Sequence, residues 1–195
     1  MKLPLNCAVD YRSDFLSEAE ATALYASLIN EYHLDRARLI KEAGGKLIKT
    51  DSFKILFLTE ALLAQNSHPE VVHGKRYPFS GKMQELKTKV ERLVATTFDL
   101  AMCLYYPDGH YFAPYHRDQE TSGDKTIIPS ISLGEVRTFS FKSNTNGDCY
   151  QLDLAHGSAL IMGDYCQSRY THSLLQDPKY QGGRINITFR DRKFQ

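Results

Sequence analysis

The segment Arg184-Ile185-Asn186-Ile187-Thr188-Phe189-Arg190 alternates strictly between polar and apolar residues. A period of two calls for an extended strand with two unlike faces. Ile185, Ile187 and Phe189 form a face that must pack in a core, while Arg184, Asn186, Thr188 and Arg190 form the other. At roughly 3.3 Å per residue the two arginine Cα atoms stand about 20 Å apart. Side chains that long can lean inward and grip both ends of a short diacid, because the guanidinium fork pairs bidentately with a carboxylate. The plainer reading is an amphipathic edge strand with solvated arginines.

Strand signals run through the chain from residue 98 onward. Asp99 to Tyr106 is nearly all apolar, as suits a strand buried on both faces, and Pro107-Asp108-Gly109 ends it in a turn. Ile127–Leu133, Val136–Phe141, Cys149–Leu154 and Ala159–Met162 read as further strands. Gly134-Glu135, Asn144 to Asp148 and His156-Gly157-Ser158 supply the turns between them. The first half reads differently. Ser17-Glu18-Ala19-Glu20 is a capping box, followed by Leu24, Tyr25, Leu28 and Ile29 at helical spacing. A second helix is predicted over Lys82–Val94, with Met83, Leu86, Val90 and Leu93 on one side and Lys82, Lys87, Lys89 and Arg92 on the other. Arg36, Arg38, Lys41, Lys46, Lys49 and Lys54 read as a basic arm, phosphate-contacting or merely solvated. Helices first and short strands after predict an α+β, mainly β chain. The expected form is a double-stranded β-helix (jelly roll) with N-terminal helices packed on one sheet. One domain is expected over 1–195, with 1–97 as helical buttress and substrate lid and 98–195 as jelly-roll core.

His116 and Asp118 lie two apart, so an extended chain points both to one side and Arg117 away. A histidine and a carboxylate so placed can share a divalent ion if a third ligand arrives from elsewhere. His110, His156 and His172 compete for that place. His156 sits in a Gly-Ser turn, and His110 is very near the first pair. His172, about ten residues past the Ile161-Met162 strand, is best placed. Two imidazoles and one carboxylate leave the opposite positions of a metal open, as non-haem Fe(II) oxygenases require. A structural zinc site would want four closed ligands, and only three protein groups are found.

Composition narrows the partners. A net charge of +1 excludes a polycation that coats nucleic acid by bulk charge, so any such contact must be local. Cys7, Cys103, Cys149 and Cys166 form no C-x-x-C pair, which argues for free thiols in a reducing compartment. No long apolar run or signal peptide is read, so the expectation is a soluble intracellular monomer, cytoplasmic or nuclear, with no membrane partner.

Taken in order, several motifs resemble those of the AlkB family of Fe(II)/2-oxoglutarate dioxygenases, and most closely its eukaryotic repair homologues. They are Tyr77-Pro78-Phe79-Ser80-Gly81, Tyr106-Pro107-Asp108-Gly109, His116-Arg117-Asp118-Gln119-Glu120, Ile131-Ser132-Leu133-Gly134, Gly157-Ser158-Ala159-Leu160-Ile161-Met162 and Arg184-x-Asn186-x-Thr188-Phe189-Arg190. The resemblance covers roughly residues 77 to 190. It implies Fe(II) held by His116, Asp118 and His172, with 2-oxoglutarate and O2 as co-substrates. Arg184 would bind the distal carboxylate, Arg190 the carboxylate beside the keto group, and Tyr106 and Asn186 would line the same pocket. Repair homologues carry Asn two positions before that tyrosine, where this chain has Leu104, so one hydrogen bond to the co-substrate is missing or replaced.

The resemblance also implies a substrate: N-alkylated bases of DNA or RNA, dealkylated oxidatively. Tyr77 and Phe79 fall in the segment where homologues stack a flipped base, and Glu120 where they place an acid on its exocyclic amine. Between His172 and Arg184 the only basic residue is Lys179, where duplex-specific homologues carry a cluster; this leans toward single strands. The alternatives are the same chemistry on methylated RNA or a protein side chain, and a non-catalytic nucleic-acid-binding module.

Overall fold

The alternating strand proves to be the divider of the molecule. In the computed structural model, which describes residues 1–43, 46–118 and 123–191, Ile185, Ile187 and Phe189 are fully buried on one face. Arg184 and Arg190 are each only 2% exposed on the other. The side chains of residues 40–43, 46–49, 51, 71, 72 and 123 lie outside the description.

The elements, in chain order, are β1 (Val9–Arg12), α1 (Glu18–Asn30), β2 (Arg38–Ala43), β3 (Lys46–Leu58), α2 (Glu60–Ala64), α3 (Glu70–His73), β4 (Lys75–Pro78), α4 (Gly81–Val94), β5 (Leu100–Tyr106), β6 (Ala113–His116), β7 (Ile128–Gly134), β8 (Arg137–Ser143), β9 (Cys149–Leu154), β10 (Ser158–Met162), α5 (Cys166–Arg169), β11 (Tyr170–Leu174) and β12 (Arg184–Arg190). They form two sheets. The larger runs β1-β10-β7-β12-β5-β3-β2, with β4 parallel to β3. The smaller runs β6-β11-β8-β9. This is the mainly β, two-sheet architecture expected, with helices on one side.

The helices form where the sequence signals them. Ser17 Oγ accepts from the Glu20 amide, and Glu20 reaches back to the Ser17 amide at 2.8 Å. Leu24 and Leu28 of α1, with Met83, Leu86 and Val90 of α4, pack on the face that carries Ile185, Ile187 and Phe189. Ile55 and Phe57 of β3 and Ala101 and Cys103 of β5 join the same core. A second core, including Ile128, Leu160 and Met162 of the large sheet and Phe141 and Leu154 of the small one, fills the space between the sheets. At Gly134 a side chain would collide with the Gly183 carbonyl, and φ is +84°, so the β7–β8 turn needs glycine.

The first half is more than a helical buttress. Residues 1–97 also supply β1 to β4 of the large sheet. The basic arm expected over Arg36–Lys54 is largely the β2–β3 hairpin, whose inner strand pairs with β5 from Phe53↔Tyr105 to Leu58↔Leu100. Among the described residues no helix is long and apolar enough to cross a membrane.

Candidate metal and co-substrate site

β6 and β11 are antiparallel neighbours with His116 directly opposite His172. That register brings two imidazoles 56 residues apart in sequence to a ring separation of 4.4 Å. Strand β6 ends at His116, and Asp118 lies just beyond it, its amide held by Gln167 Oε1 at 2.9 Å. One donor atom from each of His116, Asp118 and His172 falls within 4.8 Å of the others. His110 and His156 are elsewhere. His110 folds onto Asp108, and His156 accepts from the Gly134 amide, as a turn residue should.

The protonation states suit a cation. His116 Nδ1 lies 2.7 Å from the Pro114 carbonyl. A carbonyl only accepts, so Nδ1 carries a proton and Nε2 is the ring atom left to face a cation. Burial drives the His172 imidazole down to about pKa 4, against the opposing pull of Asp118, so it is neutral at physiological pH. Burial pushes the Asp118 carboxyl up, but Arg190, His172 and His116 outweigh it and hold the pKa below the usual carboxylate value. The carboxylate is therefore ionised. His172 Nε2 and Asp118 Oδ2 face each other at 3.7 Å, wider than a hydrogen bond. Two imidazole nitrogens and one carboxylate oxygen that converge in this way are a donor set suited to Fe(II).

The polar face of β12 borders the same cavity. Met102, Leu104, Tyr106, His116, Asp118, His172, Arg184, Asn186, Thr188 and Arg190 all line it. Arg190 Nη2 donates to Asp118 Oδ1 at 2.8 Å, so this arginine grips the candidate metal ligand itself. Arg184 lies opposite Tyr106 on β5, with its guanidinium 5.7 Å from the ring centre. It donates to Ser132 Oγ at 2.9 Å, yet its Nε has no hydrogen-bond partner. Burial pushes its pKa down to about 10, so it remains a cation at neutral pH. Among the described residues no carboxylate pairs with it, and a buried guanidinium with an idle donor is suited to an anion. The Thr188 hydroxyl is likewise buried and unpartnered. Asn186 accepts from Ser130 Oγ at 2.7 Å and lies opposite Leu104. Leu104 thus presents an apolar side chain to the cavity, and the polar contact in this strip is the Ser130–Asn186 pair.

Of the expected substrate residues, Tyr77 and Phe79 do not line this cavity. Tyr77 and Phe79 lie on the helix side of the large sheet. Tyr77 packs on Tyr32 and Phe57, and Phe79 stacks on Phe189 at 6.5 Å and 12°. The physical reason is the alternation of β12, in which Phe189 points away from its neighbour Arg190. Glu120 lies outside the described residues.

Two residues without a sequence signal also matter. Gln167 fixes Asp118 from α5, 49 positions away. Arg137, fully buried, donates to the carbonyls of Asp108, Tyr111 and Leu175 at 2.9–3.0 Å and ties the loop after β5 to the segment after β11. Arg137→Ala strands three carbonyls and is expected to cost about 3 kcal/mol, or about 10 °C in Tm. A thermal melt within about 2 °C of the parent would reject that role.

Known proteins bear on this geometry. The family described as the 2OG-Fe(II) oxygenase superfamily matches residues 9–190. The mouse alpha-ketoglutarate-dependent dioxygenase alkB homolog 3 is 31% identical over 115 residues, spanning 54% of this chain and 40% of that protein. The bovine DNA oxidative demethylase ALKBH2 is 29% identical over 136 residues, spanning 60% and 49%. The matched stretch is thus about half or less of either relative's length. Among solved structures, OsALKBH1 superposes with a TM-score of 0.65 at 14% identity, covering 97% of this chain and all of that one, a likeness of fold.

Proposed function

The chain belongs to the 2OG-Fe(II) oxygenase superfamily and is AlkB-like within it, and from that membership we propose that it dealkylates N-alkylated nucleobases in single-stranded nucleic acid. The observation that carries the reading is the convergence of His116, Asp118 and His172 within 4.8 Å in a cavity lined by two buried arginines. Iron, 2-oxoglutarate and O2 supply the oxidation of the N-alkyl carbon, with succinate, CO2 and an aldehyde as products.

The protein's own part is positioning. His116 and His172 offer ring nitrogens and Asp118 an ionised oxygen, a set that would hold Fe(II). Arg190 keeps Asp118 ionised and aimed, and stands beside the place of the inner carboxylate of 2-oxoglutarate. Arg184, idle at Nε, takes the distal carboxylate, with Tyr106 and Thr188 beside it. Met102 and Leu104 keep that pocket apolar, which strengthens the charge contacts by excluding water.

Preference for single strands rests on the poverty of positive charge after β11. Lys179 is the only cation between His172 and Arg184, and it is already paired with Asp177 at 2.8 Å. Such a surface offers little to a duplex, whose binding depends on phosphate neutralisation. The reading includes a monomer as the working unit and alkylated DNA or RNA as the partner. The test is a panel of single- and double-stranded DNA and RNA carrying 1-methyladenine or 3-methylcytosine, supplied with Fe(II) and 2-oxoglutarate. Formaldehyde release that is fastest from single strands is expected. Release from a methylated protein side chain and from none of the nucleic acids would overturn the substrate assignment.

A further inference from the structure

The two imidazoles of the candidate metal site are not held alike. His116 Nδ1 meets the Pro114 carbonyl at 2.7 Å, and such a bond orients a metal-binding ring. His172 is 4% exposed, and its Nδ1 is buried with no hydrogen-bond partner among the described residues. Its Nε2 faces Asp118 at 3.7 Å, which is too far for a hydrogen bond. The torsion that turns an imidazole about its Cβ–Cγ bond is broad, with no sharp staggered well. The tilt of the His172 ring must therefore be set by packing.

Strand β8 supplies that packing. Phe139 and Phe141 lie two apart, so they share one face of the strand. Phe141 is paired with His172 across the sheet, and Phe139 with Leu174. The Phe139 ring lies nearly parallel to the His172 imidazole, with centres 5.5 Å apart and planes 24° apart. Phe141 meets the same imidazole edge-on at 6.4 Å and meets Phe139 at 5.2 Å and 76°. Phe141 is fully buried in the core between the sheets, so it backs Phe139 with a fixed surface. Phe139 itself forms part of the wall of the metal cavity.

We infer that Phe139 is a positioning residue for the metal: its ring face holds the plane of the His172 imidazole and so sets how tightly Fe(II) is retained. The inference rests on the ligand assignment above. Stacking restrains the plane but treats the two edges of the imidazole alike. The choice of edge falls to the Asp118 carboxylate, which faces Nε2. An aliphatic side chain can fill the space of Phe139 yet leaves the imidazole free to tilt, and every binding event must then undo the tilt.

Anaerobic equilibrium dialysis with Fe(II), run below the melting temperature of each variant, tests this. Phe139→Leu is expected to weaken Fe(II) retention about tenfold, the usual scale for losing the group that orients a metal ligand. Phe139→Met, which also fills the space without a flat face, should lose as much. Phe139→Tyr keeps the face and should restore most of the affinity, which a role in filling space alone would not require. A folded Phe139→Leu or Phe139→Met protein that holds Fe(II) within about twofold of the parent overturns the inference, as does a Phe139→Tyr no better than Phe139→Leu. Failure of the ligand assignment looks different: there His172→Ala itself retains Fe(II) as the parent does.

Discussion

Asp118→Ala is expected to abolish succinate formation and to destabilise the fold at the same time. The carboxylate has two partners: the cation it would hold with His116 and His172, and the Arg190 guanidinium 2.8 Å away. Arg190 is 2% exposed, so removing its carboxylate costs about 3–5 kcal/mol. Asp118→Asn separates the effects. Its amide oxygen still accepts from Arg190, so most of the stability returns, while the loss of charge still removes a metal ligand. His172→Ala isolates the ligand role from the other side, because that imidazole is neutral and balances no charge. Activity should vanish in all three variants, while the fall in Tm is largest for Asp118→Ala. Wild-type succinate production by any of them contradicts the ligand assignment.

The second large effect is at Arg184. Its charge is buried with Ser132 Oγ as hydrogen-bond partner, an expensive arrangement in a ligand-free protein. Arg184→Met should therefore leave the ligand-free Tm unchanged or raise it. The same change removes the partner of the distal carboxylate. Losing one side of a buried charge pair costs about 2–5 kcal/mol, so the 2-oxoglutarate requirement should rise about thirtyfold or more. The rise in Tm that 2-oxoglutarate gives the parent should disappear. Stability and function then move in opposite directions, as expected where a site stores unpaired charge. A variant that melts much lower and still binds 2-oxoglutarate normally would make Arg184 a structural residue instead.

What could be read in advance follows from how local each signal is. β5, β9 and β12 announce themselves through composition and alternation within a few residues, and the capping box fixes the start of α1. β6 and β11 do not. Ala113-Pro114-Tyr115-His116 is short and broken by proline, and Tyr170-Thr171-His172-Ser173-Leu174 is mixed in polarity. β6 is a strand through its pairing with β11, and β11 through its pairing with β8 as well, in registers that no local pattern encodes. The β2–β3 hairpin was hidden by its lysines, which made Arg36–Lys54 read as an arm. The residues that line the candidate cavity stand out because their chemistry is unusual in sequence: H-x-D and a doubly basic strand. Aromatic residues next to basic ones, as at Tyr77 and Phe79, suit either a ligand or a core, and Phe79 packs on Phe189.

The central claim is that one cation and one keto diacid share a single pocket, and anaerobic equilibrium dialysis with Fe(II) measures it most directly. One ion per chain should be retained, more tightly in the presence of 2-oxoglutarate, with retention lost in His172→Ala and the 2-oxoglutarate enhancement lost in Arg184→Met. Retention undiminished in His172→Ala, or an affinity indifferent to 2-oxoglutarate, would mean that these side chains do not form the site.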